Sequence, residues 1–126
     1  MPHILLIEDD NLLAGMYQER LTEEGYKVTL AVDGEEALDK TTGVDLILLD
    51  IMLPKLNGFE VLKKLKENSR TRHIPVIILT NLGSQNANQD ANLALALGAS
   101  DYLVKSFHLP DQVVGKIKLI LQKHHA

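Results

Sequence analysis

The chain has 126 residues, of which 45% are hydrophobic and 24% charged, a composition typical of a globular domain with its own core. Its net charge of −4 argues against a nucleic-acid-binding face, which needs clustered lysine and arginine. The lack of cysteine excludes disulfides, thiolate metal sites and cysteine nucleophiles. The apolar run Ile4–Ile7 is too short for a signal peptide, and no run approaches the roughly 18 residues of a membrane span. We therefore expect one domain over residues 1–126, located in the cytoplasm, with no membrane partner and no direct nucleic-acid binding.

Five short segments rich in isoleucine, valine and leucine have the composition of β-strands. In chain order they are Ile4–Ile7, Val28–Val32, Val44–Leu49, Val76–Leu79 and Tyr102–Val104. Three of them are continuously apolar rather than alternating, which is typical of strands that are covered on both faces. The pattern therefore indicates a parallel sheet.

Segments with helical spacing follow these strands. The first has apolar residues at every fourth position from Leu13 to Leu21 and ends at Gly25, a common helix terminator. The second begins at Asp33, and the last has Pro110 at its first helical position. The third and fourth are marked by Phe59, Leu62 and Leu65 and by Leu93–Leu97. The repeated strand-helix order predicts an α/β fold, (βα)5, with a doubly wound five-stranded parallel sheet.

Polar residues follow the apolar segments, where a ligand site is expected. Open α/β sheets bind ligands beyond the carboxyl ends of their strands, at the switch point in strand order. In the five-stranded order 2-1-3-4-5 this point lies between strands 1 and 3. The residues at the strand ends are Glu8, Asp9 and Asp10, then Asp50, Thr80 and Lys105. Carboxylates, a hydroxyl and an ammonium are thus predicted to meet on one rim.

Each of these residues also has a purely structural explanation when it is taken alone. Asp10 is expected to cap the first helix whatever the others do, and lysine is usually a solvated surface residue. Carboxylates gathered at one point repel unless a cation joins them, and hard oxygen donors favour Mg²⁺ over zinc. A carboxylate can also be a nucleophile that forms an aspartyl phosphate. The residues therefore predict phosphoryl transfer to a carboxylate, with Lys105 and Thr80 contacting phosphoryl oxygens.

At this point the sequence resembles the receiver domain of bacterial two-component response regulators, from Ile4 to Gln122. The resemblance is carried by four ordered motifs, Ile4–Asp10, Asp45–Pro54, Pro75–Thr80 and Gly98–Lys105. It implies a flavodoxin-like fold and a phosphorelay signalling function. It also implies a protein that catalyses only its own phosphoryl transfer and dephosphorylation, and is otherwise not an enzyme.

The resemblance further implies a role for each site residue. Asp50 accepts the phosphoryl group from a histidine kinase, a phosphotransfer protein or a small-molecule donor. Glu8 and Asp9 match the acidic pair that holds Mg²⁺ together with Asp50, and the backbone carbonyl of Met52 completes the protein's share of the metal shell. The residues that match the phosphoryl-binding positions are Thr80, Asn81 and Lys105.

Thr80 and Tyr102 match the two switch residues of the family, which move when the acceptor is phosphorylated. The face made by the fourth helix, the fifth strand and the fifth helix then changes its protein partners, and a homodimer is one such partner. Gly58 matches the glycine after the phosphorylation loop, where a positive φ is expected. The chain departs from the family pattern in having Ser106 where proline usually follows the lysine, so we expect a trans or strained Lys105–Ser106 peptide. Asn81 is larger than the usual residue, and the segment from Thr80 to Gly98 is longer than usual.

Other functions fit the sequence less well. A degenerate receiver that acts as a phosphate-independent interaction module is the main alternative. An aspartyl-nucleophile phosphatase similar to haloacid dehalogenases needs a second aspartate two residues after the nucleophile, where this chain has Met52. A nucleotide-binding Rossmann module needs a glycine-rich turn after the first strand, where the acidic residues stand instead. A standalone receiver is the leading hypothesis, and a fragment of a longer regulator fits the sequence equally well.

Overall fold

The protein alternates strands and helices along its whole described length. The structure, a computed structural model, describes residues 1–51, 57–80, 87–104 and 110–125, with backbone alone at 80, 87–89, 104, 110, 124 and 125. The strands are β1 (His3–Ile7), β2 (Lys27–Ala31), β3 (Leu46–Asp50), β4 (Val76–Thr80) and β5 (Asp101–Val104). The helices are α1 (Asn11–Glu23), α2 (Gly34–Leu38), α3 (Gly58–Glu67), α4 (Ala87–Ala96) and α5 (Pro110–His125). The predicted order of elements is confirmed.

The five strands of the described chain form one parallel sheet in the order β2-β1-β3-β4-β5, as predicted. The register aligns the carboxyl ends of the three central strands. Ile7 of β1 pairs with Leu49 of β3, and Asp50 pairs with Leu79 of β4. The residues that follow β1 and end β3 therefore leave the sheet side by side.

The core lies on both faces of the sheet, which explains the continuous apolar strands of the sequence. Every residue of β3 is buried, and its side chains alternate between two clusters. Leu49 belongs to the cluster that α2, α3 and α4 cover, whereas Leu48 belongs to the one that α1 and α5 cover. Among the described residues, no helix is both long enough and apolar enough to cross a bilayer. The cytoplasmic location stays a prediction.

Short polar side chains fix the starts of the helices. The carboxylate of Asp10 accepts hydrogen bonds from the backbone N–H groups of Leu12 and Leu13, at 3.0 and 3.2 Å, so the predicted cap of α1 is confirmed. Gly25 has a φ of 91° directly after α1, as expected of a helix-terminating glycine. Asn57 caps α3 through the N–H of Glu60, at 3.0 Å.

The expected positive φ at Gly58 is wrong. The glycines with positive φ in the described chain are Gly25, Gly43 and Gly98, whereas Gly58 is the first residue of α3. The reason for a glycine at position 58 is steric, because the backbone of Asp50 and Ile51 lies where a side chain would begin.

A lysine closes part of one sheet edge. β2 is an edge strand, and the carbonyl of Ala31 turns inward to accept from the N–H of Glu8, at 3.0 Å. Successive carbonyls along a strand alternate in direction, so that of Leu30 points to the outer edge. It accepts a hydrogen bond from the ammonium group of Lys40, at 3.0 Å.

An ionic network joins α1 to α5 on the face of the sheet that these two helices cover. Arg20 donates from Nε to Asp111 at 2.6 Å and from Nη1 to Glu24 at 2.7 Å. Lys118 donates to the other carboxylate oxygen of Glu24, at 2.8 Å. Hydrogen bonds from Lys118 and then Arg20 lower the pKa of Glu24 below its ordinary value. Glu24 therefore stands between two cations and connects the two helices.

Replacing Glu24 by glutamine is expected to lower the melting temperature by a few degrees at neutral pH and low salt. Because the folded-state pKa is lowered, this stabilisation is complete above the ordinary carboxyl pKa and disappears as the pH falls through the folded value. It also shrinks in about 1 M salt, where the screening length is about 3 Å. Glu23→Gln is the matched control, since Glu23 is 61% exposed and lies 4.0 Å from Arg20. Equal losses in the two variants, measured by circular dichroism, would contradict the network's role.

Candidate functional site

Three carboxylates meet at the switch point of the sheet. Glu8 and Asp9 follow β1 directly, and Asp50 is the last residue of β3. One carboxylate oxygen from each of the three lies within 4.8 Å of the other two. Glu8 is 3% exposed and Asp50 is 6% exposed, whereas Asp9 is open to solvent. The cluster therefore has a buried base and an accessible rim, and the predicted convergence of these residues is confirmed.

Backbone pairing on each side of the cluster holds it in place. The N–H of Glu8 donates to Ala31 of β2, at 3.0 Å, which extends the β1–β2 pairing by one residue. The N–H of Ile51 donates to the carbonyl of Leu79, at 3.4 Å, so the chain after Asp50 stays against β4. Asp50 is thus carried by the end of a strand, and Glu8 is held by backbone pairing directly after one.

The three carboxylates lie close enough together to repel one another strongly. Two unit charges 4.8 Å apart repel by about 3.5 kcal/mol at an effective dielectric constant of about 20. Glu8 and Asp50 are both buried, so bulk water screens this repulsion poorly. A bound cation would relieve it.

The donor set fits a hard divalent cation. All three donors are carboxylate oxygens, and within the described chain neither histidine nor cysteine takes part in the cluster. Such oxygen donors favour Mg²⁺, Mn²⁺ or Ca²⁺ over zinc. An ion bound at the exposed Asp9 side would keep water molecules in its shell, as Mg²⁺ usually does. The residues present therefore fit the predicted metal.

The other predicted site residues are described only in part. The backbone of Thr80 pairs with Val104 at the carboxyl ends of β4 and β5, which places Thr80 on the same rim as Asp50. Tyr102 is half-buried, and its ring packs against the cluster that α2, α3 and α4 cover. Three predicted residues, together with the Lys105–Ser106 peptide, lie outside the described residues: Met52, Asn81 and Lys105.

One structural neighbour of the site was assigned the wrong role from sequence. Gly58 approaches the backbone of Asp50 closely, and its N–H donates to the carbonyl of Ile51 at 2.9 Å. The sequence marks this glycine only by its place in a motif, because a close approach of two backbones leaves no compositional signal. The nearby pair of Asn57 and Glu60 does carry the spacing of a helix start.

The site predicts a measurable link between metal binding and stability. In the absence of metal, Asp50→Asn is expected to raise the melting temperature, because it removes a charge from the repelling cluster. Mg²⁺ at about 100 times its dissociation constant should stabilise the parent by about 2.7 kcal/mol, and this gain should be largely lost in the variant. Asp10→Asn is the control, since asparagine still caps α1. The idea fails if Mg²⁺ raises the melting temperature of Asp50→Asn as much as that of the parent.

Comparison with known proteins identifies the family. A family model described as "Response regulator receiver domain" matches residues 4–118. The transcriptional regulatory protein CpxR of Escherichia coli (strain K12) is 44% identical over 126 residues, which cover 99% of this chain and 51% of that protein. The chain thus spans about half the length of the curated relatives it matches.

Solved structures agree with this assignment. The response regulator receiver domain protein (CheY-like) from Methanospirillum hungatei JF-1 has a TM-score of 0.88 and 28% identity, over 99% of this chain and 97% of that one. The Mn(2+)-bound form of response regulator Rcp1 has a TM-score of 0.76 and 31% identity, over 89% of this chain and 86% of that one. Sequence and structure together show that the chain belongs to the response regulator receiver domain family, with the flavodoxin-like fold that the sequence predicted.

Proposed function

We propose that this receiver domain is a phospho-acceptor switch of a two-component phosphorelay and that Asp50 takes the phosphoryl group. The observation that carries the proposal is the placement of Asp50. It ends a wholly buried strand, is itself buried, and has a carboxylate oxygen within 4.8 Å of those of Glu8 and Asp9. A buried carboxylate beside two others requires a chemical reason, because a buried charge is costly unless it is paired or coordinates a metal ion.

The proposed reaction is a single phosphoryl transfer. A carboxylate oxygen of Asp50 forms a bond to phosphorus, and the bond between phosphorus and the donor breaks. The electron pair of that bond leaves with the donor, a histidine nitrogen or the oxygen of a small acyl phosphate. Asp50 thereby becomes a mixed anhydride. We also propose that the chain has no substrate of its own beyond this transfer and the later loss of the phosphoryl group to water.

Metal binding is part of the proposal. Glu8, Asp9 and Asp50 would hold Mg²⁺ together with the backbone carbonyl of Met52, and the ion supplies positive charge for the phosphoryl oxygens. The oxygen-only donor set supports this assignment, as does the Mn(2+)-bound form of the similar protein Rcp1. The phosphoryl-binding roles come from the sequence alone and are assigned to Thr80, Asn81 and Lys105.

The proposed output surface is the face formed by α4, β5 and α5, with Thr80 and Tyr102 as the switch residues. Tyr102 in β5 is half-buried, and its ring packs against the core while part of the residue stays accessible to solvent. On α4, Leu93 is 46% exposed and Leu95 is 51% exposed, and exposed apolar side chains of this kind suit a protein partner. The ammonium of Lys116 on α5 lies 3.7 Å from the carboxylate of Asp101, so α5 and β5 are connected at this face.

The proposed partners are a histidine kinase or phosphotransfer protein upstream and a protein target downstream, with a homodimer on phosphorylation as a further partner. The site of action would be the cytoplasm. The comparisons do not support the expectation of no direct nucleic-acid binding, because CpxR is named a transcriptional regulatory protein and this chain covers half of it. A single domain over the whole chain, acting alone, also stays a prediction.

The acceptor assignment predicts that Asp50→Asn abolishes labelling by a radiolabelled acyl phosphate in Mg²⁺. Asparagine keeps the size of the side chain but lacks the nucleophilic carboxylate. Mass spectrometry of the intact chain measures the added phosphoryl group independently of the radiolabel. Asp10 follows Asp9 in the sequence and caps α1, so Asp10→Asn should be labelled at the parental rate. Unchanged labelling of Asp50→Asn would remove Asp50 as the acceptor, whereas a parent chain that takes no label would favour a phosphate-independent interaction module.

A second expectation concerns the lifetime of the phosphorylated form. The residues two positions after Asp50 and Thr80 are Met52 and Leu82, and neither side chain can orient a water molecule for attack. Self-dephosphorylation should therefore be slow. Met52→Asn and Leu82→Lys, which introduce polar groups there, should shorten the lifetime. The lifetime is measured as the loss of label after the donor is removed. A lifetime of only seconds for the phosphorylated parent chain would refute this expectation.

A further inference from the structure

The start of α3 lies directly against the peptide that carries Asp50. Gly58, the first residue of this helix, is buried, and its N–H donates to the carbonyl of Ile51 at 2.9 Å. On its other side, the same stretch is held by β4 through the pairing of Asp50 with Leu79. The last residue of β3 is therefore clamped between a strand and a helix N-terminus.

There is no room for a side chain at this contact. A Cβ atom at position 58 would lie 2.6 Å from the carbonyl oxygen of Asp50 and 2.6 Å from the Cα of Ile51. Both neighbours are backbone atoms, so no change of rotamer can relieve the overlap. Non-bonded carbon atoms are comfortable at roughly 3.5–4.0 Å, so one of the two backbones would have to move by about 1 Å.

We propose that Gly58 is a positioning residue for the acidic site, which sets the position of the Asp50 carboxylate by letting α3 pack against the Asp50–Ile51 peptide. The proposal rests on the proposed function, through metal binding for its effect on affinity and through phosphoryl transfer for its effect on rate. The close approach of Gly58 to the Asp50–Ile51 peptide is observed independently of both.

A small displacement of the Asp50 carboxylate should matter, because metal binding and phosphoryl transfer both depend closely on its position. Mg²⁺ and Mn²⁺ require a near-regular arrangement of oxygen donors, and supporting residues around a metal typically change its affinity about 10–100-fold. A displacement of about 1 Å near a reacting group can also cost on the order of 100-fold in rate. An added methyl group at position 58 should therefore weaken the metal site and slow phosphorylation, although Gly58 contributes no ligand.

The experiment is Gly58→Ala in the full chain, with two helical glycines as matched controls. At Gly15 in α1 and Gly115 in α5, a Cβ atom would meet no atom within 4 Å outside the local helix backbone and the adjoining residues, and neither glycine has a positive φ. Alanine favours a helix over glycine, so Gly15→Ala and Gly115→Ala should raise the melting temperature and leave the site unchanged. If Gly58→Ala alone does not fold, the measurements are made on the triple variant that includes both control substitutions.

The measured quantities are Mn²⁺ affinity, by electron paramagnetic resonance of the free ion, and the labelling rate in saturating Mg²⁺. Gly58→Ala should lower Mn²⁺ affinity about tenfold or more and slow labelling by a similar factor. Asn57→Ala serves as a second control, because it removes the cap of α3 without adding an atom against Asp50. It should lower the melting temperature but keep the parental Mn²⁺ affinity, whereas a merely structural role of Gly58 would make the two variants alike.

Parental Mn²⁺ affinity in a folded Gly58→Ala variant would overturn the proposal, and so would an equal loss of affinity in Asn57→Ala. Asp50→Asn is labelled in parallel. If Asp50→Asn is still labelled while Gly58→Ala has lost Mn²⁺ affinity, the acceptor assignment has failed and the positioning role of Gly58 is retained. If Asp50→Asn is not labelled and Gly58→Ala binds Mn²⁺ normally, the acceptor assignment is retained and the positioning role has failed.

Discussion

The parallel pairing of β1 with β3 is the interaction on which the acidic site depends. It brings together two chain segments whose paired residues are 42 positions apart in sequence, and it ends both of them at the same level of the sheet. Because Asp50 ends β3 while Glu8 and Asp9 follow β1 directly, the sheet brings like charges within 4.8 Å of one another. The energy for this comes from the two apolar clusters on either face, which hold the strands in register regardless of what their ends carry. The pairing of β1 with β3 thus contributes to the stability of the core and also causes the repulsion among the carboxylates.

Much of the fold could be predicted because the relevant signals are local. Continuous apolar runs indicated buried parallel strands, and β3 is indeed buried at every position. Asp10 and Gly25 mark the two limits of α1 by their own chemistry, since one accepts from the first turn and the other adopts a positive φ. Strand order was predictable because the alternation of strands and helices admits few topologies. The convergence of Glu8, Asp9 and Asp50 then follows from topology, without any knowledge of side-chain contacts.

What could not be predicted depends on distances between segments that are remote in sequence. The contact of Gly58 with the backbone of Asp50 is fixed by how α3 approaches β3, and a glycine required for space cannot be told from one required for its φ. The network of Arg20, Glu24 and Lys118 is of the same kind, because a charged helix face does not reveal which helix it will meet. Both features depend on the angle and offset of packing, which hydrophobic periodicity leaves undetermined.

The hydrogen bond from Lys40 to the carbonyl of Leu30 has a consequence beyond the fold of one molecule. An edge strand presents backbone donors and acceptors to which a strand of another molecule can add, and this is a common route to aggregation. At Leu30 the outward acceptor of β2 is already occupied, and the ammonium group places a charge where an incoming strand would have to lie. The lysine at the end of α2 therefore contributes to keeping copies of the protein apart as well as to holding one copy together.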